Sequence, residues 1–373
     1  MIRKRLLFFI ESFSGGGAER VLLTILRNID LSKFHVTVLV INDKGVYQEA
    51  FNSLGIKIVK VLNGKWPLFD KVKYKLVYNY LPPKMALKWL LKGLRADTYI
   101  AFIEGYCTKM LSYLTPKKRK IAWVHIDLKN FPWPIEKGIY KNTQEEKRAY
   151  SKFDLAVGVS NDVSDVLRNS YALQTVKTIY NPIDEERIKH LAKQANNYKI
   201  DKQSFNIVSV GRLTRQKGYD KLIAEMPGIL KQNPGIKLYI IGDGEERPNL
   251  EQQIKDLGLQ ENVILSGFLD NPYSVMKNMN LFVCSSVAEG FSLVIAEAMT
   301  LGLPIASMKC AGPCELLGHG KYGVLCNNYE ELADALVKIS MDTSLRAELR
   351  KKSQARSKDF NTKQILQTIE EIL

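Results

Sequence analysis

Short apolar runs rich in β-branched residues alternate along the chain with segments whose apolar positions recur at helical spacing. In the first half the runs are RLLFFI (5–10), HVTVLVI (35–41), IKIVKV (56–61), TYIAFI (98–103), KIAWVH (120–125), DLAVGVS (154–160) and VKTIY (176–180). In the second half they are NIVSVG (206–211), KLYIIG (237–242), NVILSG (262–267), NLFVCS (280–285), LPIAS (303–307) and GVLC (323–326). Runs that are almost continuously apolar predict strands covered on both faces, and the helical segments between them predict parallel order. The pattern therefore predicts an α/β chain with two doubly wound parallel sheets. A polar stretch, 180–206, separates them and opens on a turn-forming Asn-Pro. The expected domains are 1–184 and 185–357. Ligands of such folds enter beyond the carboxyl ends of the strands, so the two sheet tops are expected to face one cleft.

Each sheet begins with a glycine-bearing turn. FIESFSGGGAERVLLTILRNI places Gly15, Gly16 and Gly17 after the first strand and starts a helix near Ala18, with Leu22, Leu23, Ile25, Leu26 and Ile29 on its buried side. Backbone there can approach a phosphate or sugar closely, although a plain tight turn asks for the same glycines. It is not a dinucleotide fingerprint, because Arg20 stands where G-x-G-x-x-G needs its third glycine. In the second turn, SVGRLTRQKGYDKLIAEM (209–226), Arg212, Arg215 and Lys217 crowd a strand's carboxyl end before a helix that starts near Gly218. Cations so placed neutralise a diphosphate, arginine as a bidentate fork and lysine as a point charge.

The stretch SSVAEGFSLVIAEAMTLGLPIAS (285–307) is apolar yet carries Glu289 and Glu297. Read as strand, turn and helix, it puts Glu289 in the loop and Glu297 about two turns into the helix, some 9 Å further along the axis. A loop carboxylate can accept sugar hydroxyls, the free amides of Gly290, Phe291, Ser292 and Leu293 can hold a phosphate, and Glu297 can accept the two ribose hydroxyls of a nucleotide. Dipole complementarity alone would explain Glu289. It would not explain a carboxylate among Val294, Ile295, Ala296, Ala298 and Met299, which is costly without donors.

Composition narrows the classes. At 373 residues and 46% hydrophobic, the chain exceeds one ordinary core. No apolar run is long enough to span a membrane, and the start lacks a cleavage site, so a cytoplasmic protein is expected. Five cysteines in apolar segments fit reduced thiols, and Cys310 and Cys314 lack histidines at zinc spacing. Residues 1–185 hold 30 Lys and Arg against 17 Asp and Glu, a net +13 out of +15. The basic density peaks at 57–95, where ten basic residues and one acid interleave with Trp66, Phe69, Tyr74, Tyr78, Tyr80 and Trp89. An anionic membrane surface attracts such a segment, although a solvated helical face reads the same way. No zinc finger, RNP-type strand or leucine heptad favours nucleic acid.

Taken in order, GRLTRQKG, GDGEERPNLEQQIKDLGL, VILSGF and EGFSLVIAEAM resemble family 4 of the retaining glycosyltransferases, with its E-x7-E spacing at Glu289 and Glu297. SFSGGGAER resembles that family's amino-terminal glycine loop, and VGVSNDVSDVL and YNPID its approach to the hinge. The resemblance implies two facing Rossmann-like domains of GT-B architecture, with a last helix, about 358–373, packing back on the first. It implies that Arg212 and Lys217 bind the donor diphosphate and that Glu289 with the Gly290, Phe291 and Ser292 backbone holds the sugar and β-phosphate. Glu297 would take the ribose, Gly267 and Phe268 would line the base, and Gly16 and Gly17 would approach the diphosphate or acceptor. His125 would stand at the catalytic edge with Asp127 beside it, although a lone histidine after an apolar strand is also an ordinary core residue.

The implied reaction moves a hexose or N-acetylhexosamine from a nucleotide diphosphate sugar to an acceptor hydroxyl with retained configuration. UDP sugars are the expected donors, with GDP-mannose as the alternative, and no cofactor or metal is required because no D-x-D element appears. A polyprenyl diphosphate-linked acceptor, peripheral attachment to the inner face of the membrane through 57–95, and surface polysaccharide assembly complete the expectation. A nucleotide-sugar epimerase of the same architecture and a non-catalytic nucleotide-sugar or nucleic-acid binder are the competing classes.

Overall fold

The structure, a computed structural model, describes residues 3–62, 72, 81–115 and 117–373. The chain divides into two compact units, Met1–Pro182 with Lys363–Leu373, and Ile183–Thr362. Among the described residues the first holds seven strands: β1 (Lys4–Ser12), β2 (Phe34–Asn42), β3 (Lys57–Leu62), β4 (Thr98–Ala101), β5 (Arg119–Val124), β6 (Leu155–Gly158) and β7 (Val176–Thr178). They form one parallel sheet in the order β3-β2-β1-β4-β5-β6-β7. Burial explains the continuous apolar runs: Leu6 to Ile10 of β1 are all at most 1% exposed, so neither face of the strand meets water.

The second unit holds β8 (Phe205–Val210), β9 (Ile236–Ile241), β10 (Val263–Gly267), β11 (Leu281–Cys284), β12 (Ile305–Met308) and β13 (Val324–Cys326). Their order is β10-β9-β8-β11-β12-β13, again parallel. All thirteen strands fall on the thirteen apolar runs. In both sheets the order reverses beside the first strand, between β1 and β4 and between β8 and β11, which creates the crevice where such folds bind ligands.

Ile183 bridges Asn361, so the outgoing and returning chain lie side by side. The last helix, Thr362–Ile372, belongs to the first unit and buries Ile365, Leu366, Ile369 and Ile372. An eleven-residue helix is marginal alone in water, so docking stabilises it. Thr98 Oγ1 and Arg119 Nη2 donate to the carbonyls of Leu373 and Ile372 at 3.0 and 2.9 Å, and Lys33 pairs with Glu370 at 2.9 Å.

All five cysteines are free thiols. Residues 63–71 and 73–80 of the basic stretch 57–95, with Trp66, Phe69, Tyr74, Tyr78 and Tyr80, lie outside the described residues. Among the described residues, no helix is long and apolar enough to cross a membrane.

Candidate active site

The chain leaves β8 through Gly211 to Leu213, makes one 3-10 turn at Arg215–Lys217, and enters the helix Tyr219–Gln232. Gly218 joins turn to helix at φ +61, and a Cβ there would collide with Ser285 O and Tyr329 Oη. That close approach welds the exits of β8 and β11. Ser285 Oγ donates to Lys217 O (2.7 Å), Val287 N to Gln216 O (2.9 Å), Gln216 Nε2 to Ala288 O (2.8 Å) and Tyr329 Oη to Ser285 O (2.8 Å).

Lys217 and Glu289 consequently meet, Nζ to Oε1 at 2.5 Å, with side chains 20% and 12% exposed. Ser286 Oγ donates to the same carboxylate oxygen at 2.9 Å. Burial alone would pull the lysine pKa down, but the Glu289 charge, helped by Tyr219 and Cys284, carries it above its ordinary value. The lysine therefore stays charged at neutral pH. Arg212 is exposed, with no ion pair among the described residues, whereas Arg215 turns to Glu246 at 3.3 Å.

The helix after β11 begins at Leu293, because Ser292 keeps extended backbone at φ −82 and ψ 95. This corrects two expectations. Glu297 sits just over one turn into the helix rather than two, and the amides left open by the helix are those of Ser292, Leu293, Val294 and Ile295. Gly290 and Phe291 belong to the preceding turn, which packs on Gly312, whose N–H donates to Glu289 O at 2.8 Å. Ser292 is 1% exposed, and its hydroxyl neither caps the helix nor meets another partner. A serine at this position ordinarily accepts from the second or third helical amide, so this helix terminus keeps its donors open. Glu297 is 4% exposed. At the end of β10, Gly267 adopts φ +74 and accepts from Gly242 N at 2.9 Å, and the Phe268 ring is 58% exposed.

In the first unit, Gly16 precedes the helix Gly17–Asn28, and the carboxylate of Glu19 folds back over it. Ser12 and Ser14 donate to Glu19 at 3.3 and 3.2 Å. His125 follows β5, and its Nε2 lies 3.0 Å from Phe102 O. A carbonyl only accepts, so Nε2 carries the proton and Nδ1 is left as an acceptor. Burial lowers the imidazole pKa to about 4, and the Phe102 bond offsets only part of that. Asp127 is not its partner: its oxygens accept from Lys129 N (2.9 Å), Asn130 N (3.2 Å) and Asn130 Nδ2 (2.6 Å), closing a local turn.

His125 is instead tied to Glu104, whose Oε2 accepts from the His125 amide at 3.1 Å while Oε1 faces Trp133 Nε1 at 3.4 Å. Glu11, at the end of β1, accepts from the amide of Tyr106 at 3.2 Å. Burial, with Glu104 and Glu19 nearby, raises the Glu11 pKa to about 7 despite that bond. Sequence reasoning missed Glu11, Glu104, Ser286, Gly312 and Tyr329. For the first two a signal existed, since both apolar runs end in Phe-Ile-Glu. Among the described residues no His, Cys, Asp or Glu group could hold a metal ion.

Two family models together match most of the chain, Glycosyltransferase Family 4 over residues 15–187 and glycosyl transferases group 1 over 192–356. An uncharacterized glycosyltransferase of Methanocaldococcus jannaschii is 31% identical over 61% of each chain. The N-acetylgalactosamine-N,N'-diacetylbacillosaminyl-diphospho-undecaprenol 4-alpha-N-acetylgalactosaminyltransferase of Campylobacter jejuni is 29% identical over 96% of each. HepE of Anabaena, solved in complex with UDP, superposes with a TM-score of 0.76 at 23% identity over 99% of both chains. With two parallel-sheet domains and both models matched, the chain belongs to the glycosyltransferases of the family 4 and group 1 type, with the GT-B fold.

Proposed function

We propose that the protein transfers a hexose or N-acetylhexosamine from a UDP sugar to a hydroxyl of a polyprenyl diphosphate-linked acceptor, with the anomeric configuration retained and without a metal. The observation that carries this reading is the desolvated Lys217–Glu289 pair at the β8/β11 switch point, beside a helix terminus whose N-cap serine leaves its amides open. Arg212, Lys217 and the amides of Ser292 to Ile295 receive the diphosphate. Their positive charge stabilises the leaving group as the bond from C1 to the β-phosphate oxygen breaks. The acceptor oxygen bonds to C1 on the same face, and its proton passes to the departing phosphate oxygen.

Glu289 accepts hydroxyls of the sugar, Glu297 those of the ribose, and Gly267 and Phe268 border the base. His125, neutral above about pH 4, offers Nδ1 to a sugar or acceptor hydroxyl. The lipid-linked acceptor draws support from the Campylobacter relative's name, and the uridine donor from UDP in the Anabaena structure. Such an acceptor places the enzyme in the cytoplasm against the inner face of the membrane, in surface polysaccharide assembly.

A thermal-shift series over UDP and GDP sugars tests the donor, since a ligand at 100 times its Kd stabilises by about 2.7 kcal/mol. The anomeric proton coupling of the product then tests retention. An inverted product would overturn the stereochemistry, and an epimerised sugar formed without acceptor would replace transfer by epimerisation.

A further inference from the structure

In the first unit the helix Tyr106–Leu111 packs against both Pro83–Leu90 and Thr143–Tyr150. Beside Thr143–Tyr150 lies a cavity of about 190 Å³ whose walls include Lys109, Tyr113, Tyr140, Glu145, Arg148 and Lys152. It is smaller than the roughly 300–1,000 Å³ of pockets that enclose whole small molecules, and suits one polyatomic anion. Three cations against one acid set its sign. The acid is already engaged, with Glu145 3.1 Å from Lys109 Nζ and accepting from Lys141 N at 2.7 Å. Lys109 also donates to the Ile139 carbonyl and lies 5.3 Å from the centre of the Tyr140 ring. Arg148 and Lys152 are exposed, with no ion pair among the described residues, and Lys152 Nζ stands 5.1 Å over the Tyr113 ring. Cations are favoured at any helix C-terminus, but the helix dipole does not require them to converge with a third on one cavity.

The other neighbouring helix supplies a second observation. Pro83–Leu90 buries Ala86, Leu87 and Leu90 and leaves Met85 58% and Trp89 41% exposed, one turn apart. Lys84, Lys88, Lys92 and Arg95 around them are exposed too. Water gains nothing from an exposed indole and thioether among lysines. An anionic bilayer accommodates both, the ring at headgroup level and the ammonium groups against phosphate.

We propose that the cavity is a lipid-headgroup site, in which Arg148 and Lys152, with Lys109 behind them, take the phosphate of an anionic phospholipid while Met85 and Trp89 enter the interface. Arginine's fork and two ammonium groups match a tetrahedral oxyanion. The proposal rests on the reading that the enzyme works at an anionic membrane; Met85 and Trp89 belong to the 57–95 stretch, and Lys109, Arg148 and Lys152 add a contact outside it.

The test is flotation of the full chain with phosphatidylcholine vesicles, with and without phosphatidylglycerol, for wild type, Arg148→Ala/Lys152→Ala and a charge-matched control, Lys4→Ala/Lys44→Ala. The expected result is partition into phosphatidylglycerol vesicles about 30-fold weaker for the pocket variant, from about 1 kcal/mol per cation, with little change in the control. Thermal midpoint and turnover of a water-soluble acceptor stay at wild-type values. Equal losses in both variants would reduce the effect to net charge and overturn the pocket. Wild-type partition by the pocket variant, combined with inorganic phosphate stabilising only the wild type, would make this a soluble-anion site and overturn the lipid. Failure of the wild type to float with either vesicle would remove the membrane reading itself.

Discussion

The two sheets reverse strand order at equivalent places, yet the chemistry gathered there is opposite. At β8/β11 a lysine and a glutamate are paired, an arginine stands free of ion pairs among the described residues, and a helix keeps its amides open. At β1/β4 three carboxylates, Glu11, Glu19 and Glu104, are bound by backbone amides, serines and an indole, with no ion pair among the described residues. This happens in the half of the chain with net charge +13. Under the proposed function a diphosphate is therefore favoured at the second unit's switch point over the first's. Net charge describes a surface, whereas the few groups at the strand exits decide what a crevice accepts.

The comparison breaks most readily at Lys217. Lys217→Ala is expected to lower kcat/KM about 10³-fold and stability by about 3 kcal/mol, because it removes a donor to the leaving group and strands a largely buried carboxylate. Steady-state kinetics and urea unfolding read the two effects separately. Glu289→Gln keeps an oxygen for Lys217 and Ser286 while losing the charge. A fall of about 10²-fold in kcat/KM is expected, with UDP affinity by calorimetry at least that of wild type, since the lysine is released toward phosphate. Ser292→Ala should weaken donor binding about fivefold, near 1 kcal/mol, without lowering the stability of the unliganded protein, because that hydroxyl has no partner to lose.

The smallest effect lies in the first unit. The folded pKa of Glu11 is about 7 against an ordinary 4.5, so between those values the native state holds the proton more tightly than the unfolded chain. Its contribution to stability is present below about pH 4.5 and is lost as pH rises toward 7. Glu11→Gln does not titrate, and its thermal midpoint should gain on wild type across that window. A constant difference between the two proteins would show that Glu11 is not held protonated.

Fold and site were legible to different depths. Thirteen apolar runs became thirteen strands because a parallel strand covered on both faces has no polar side to confuse its pattern. Lys217 and Glu289 were readable as candidates because each follows such a run, but their contact spans 72 residues and depends on β8 lying beside β11. His125 and Asp127 share no hydrogen bond for the complementary reason. Two residues apart in sequence, they diverge when Asp127 closes its own turn, and the group that reaches the His125 amide, Glu104, arrives from another strand exit.

The sequence by itself determined the two parallel sheets and the residue types waiting at the strand exits, because these depend on neighbours within a few positions. Only the tertiary structure decided that Lys217 meets Glu289, that the helix after β11 starts at Leu293, and that His125 is a neutral acceptor. Those outcomes depend on strand order, on burial and on which carbonyl or carboxylate a distant segment brings within 3 Å, and no local pattern encodes them.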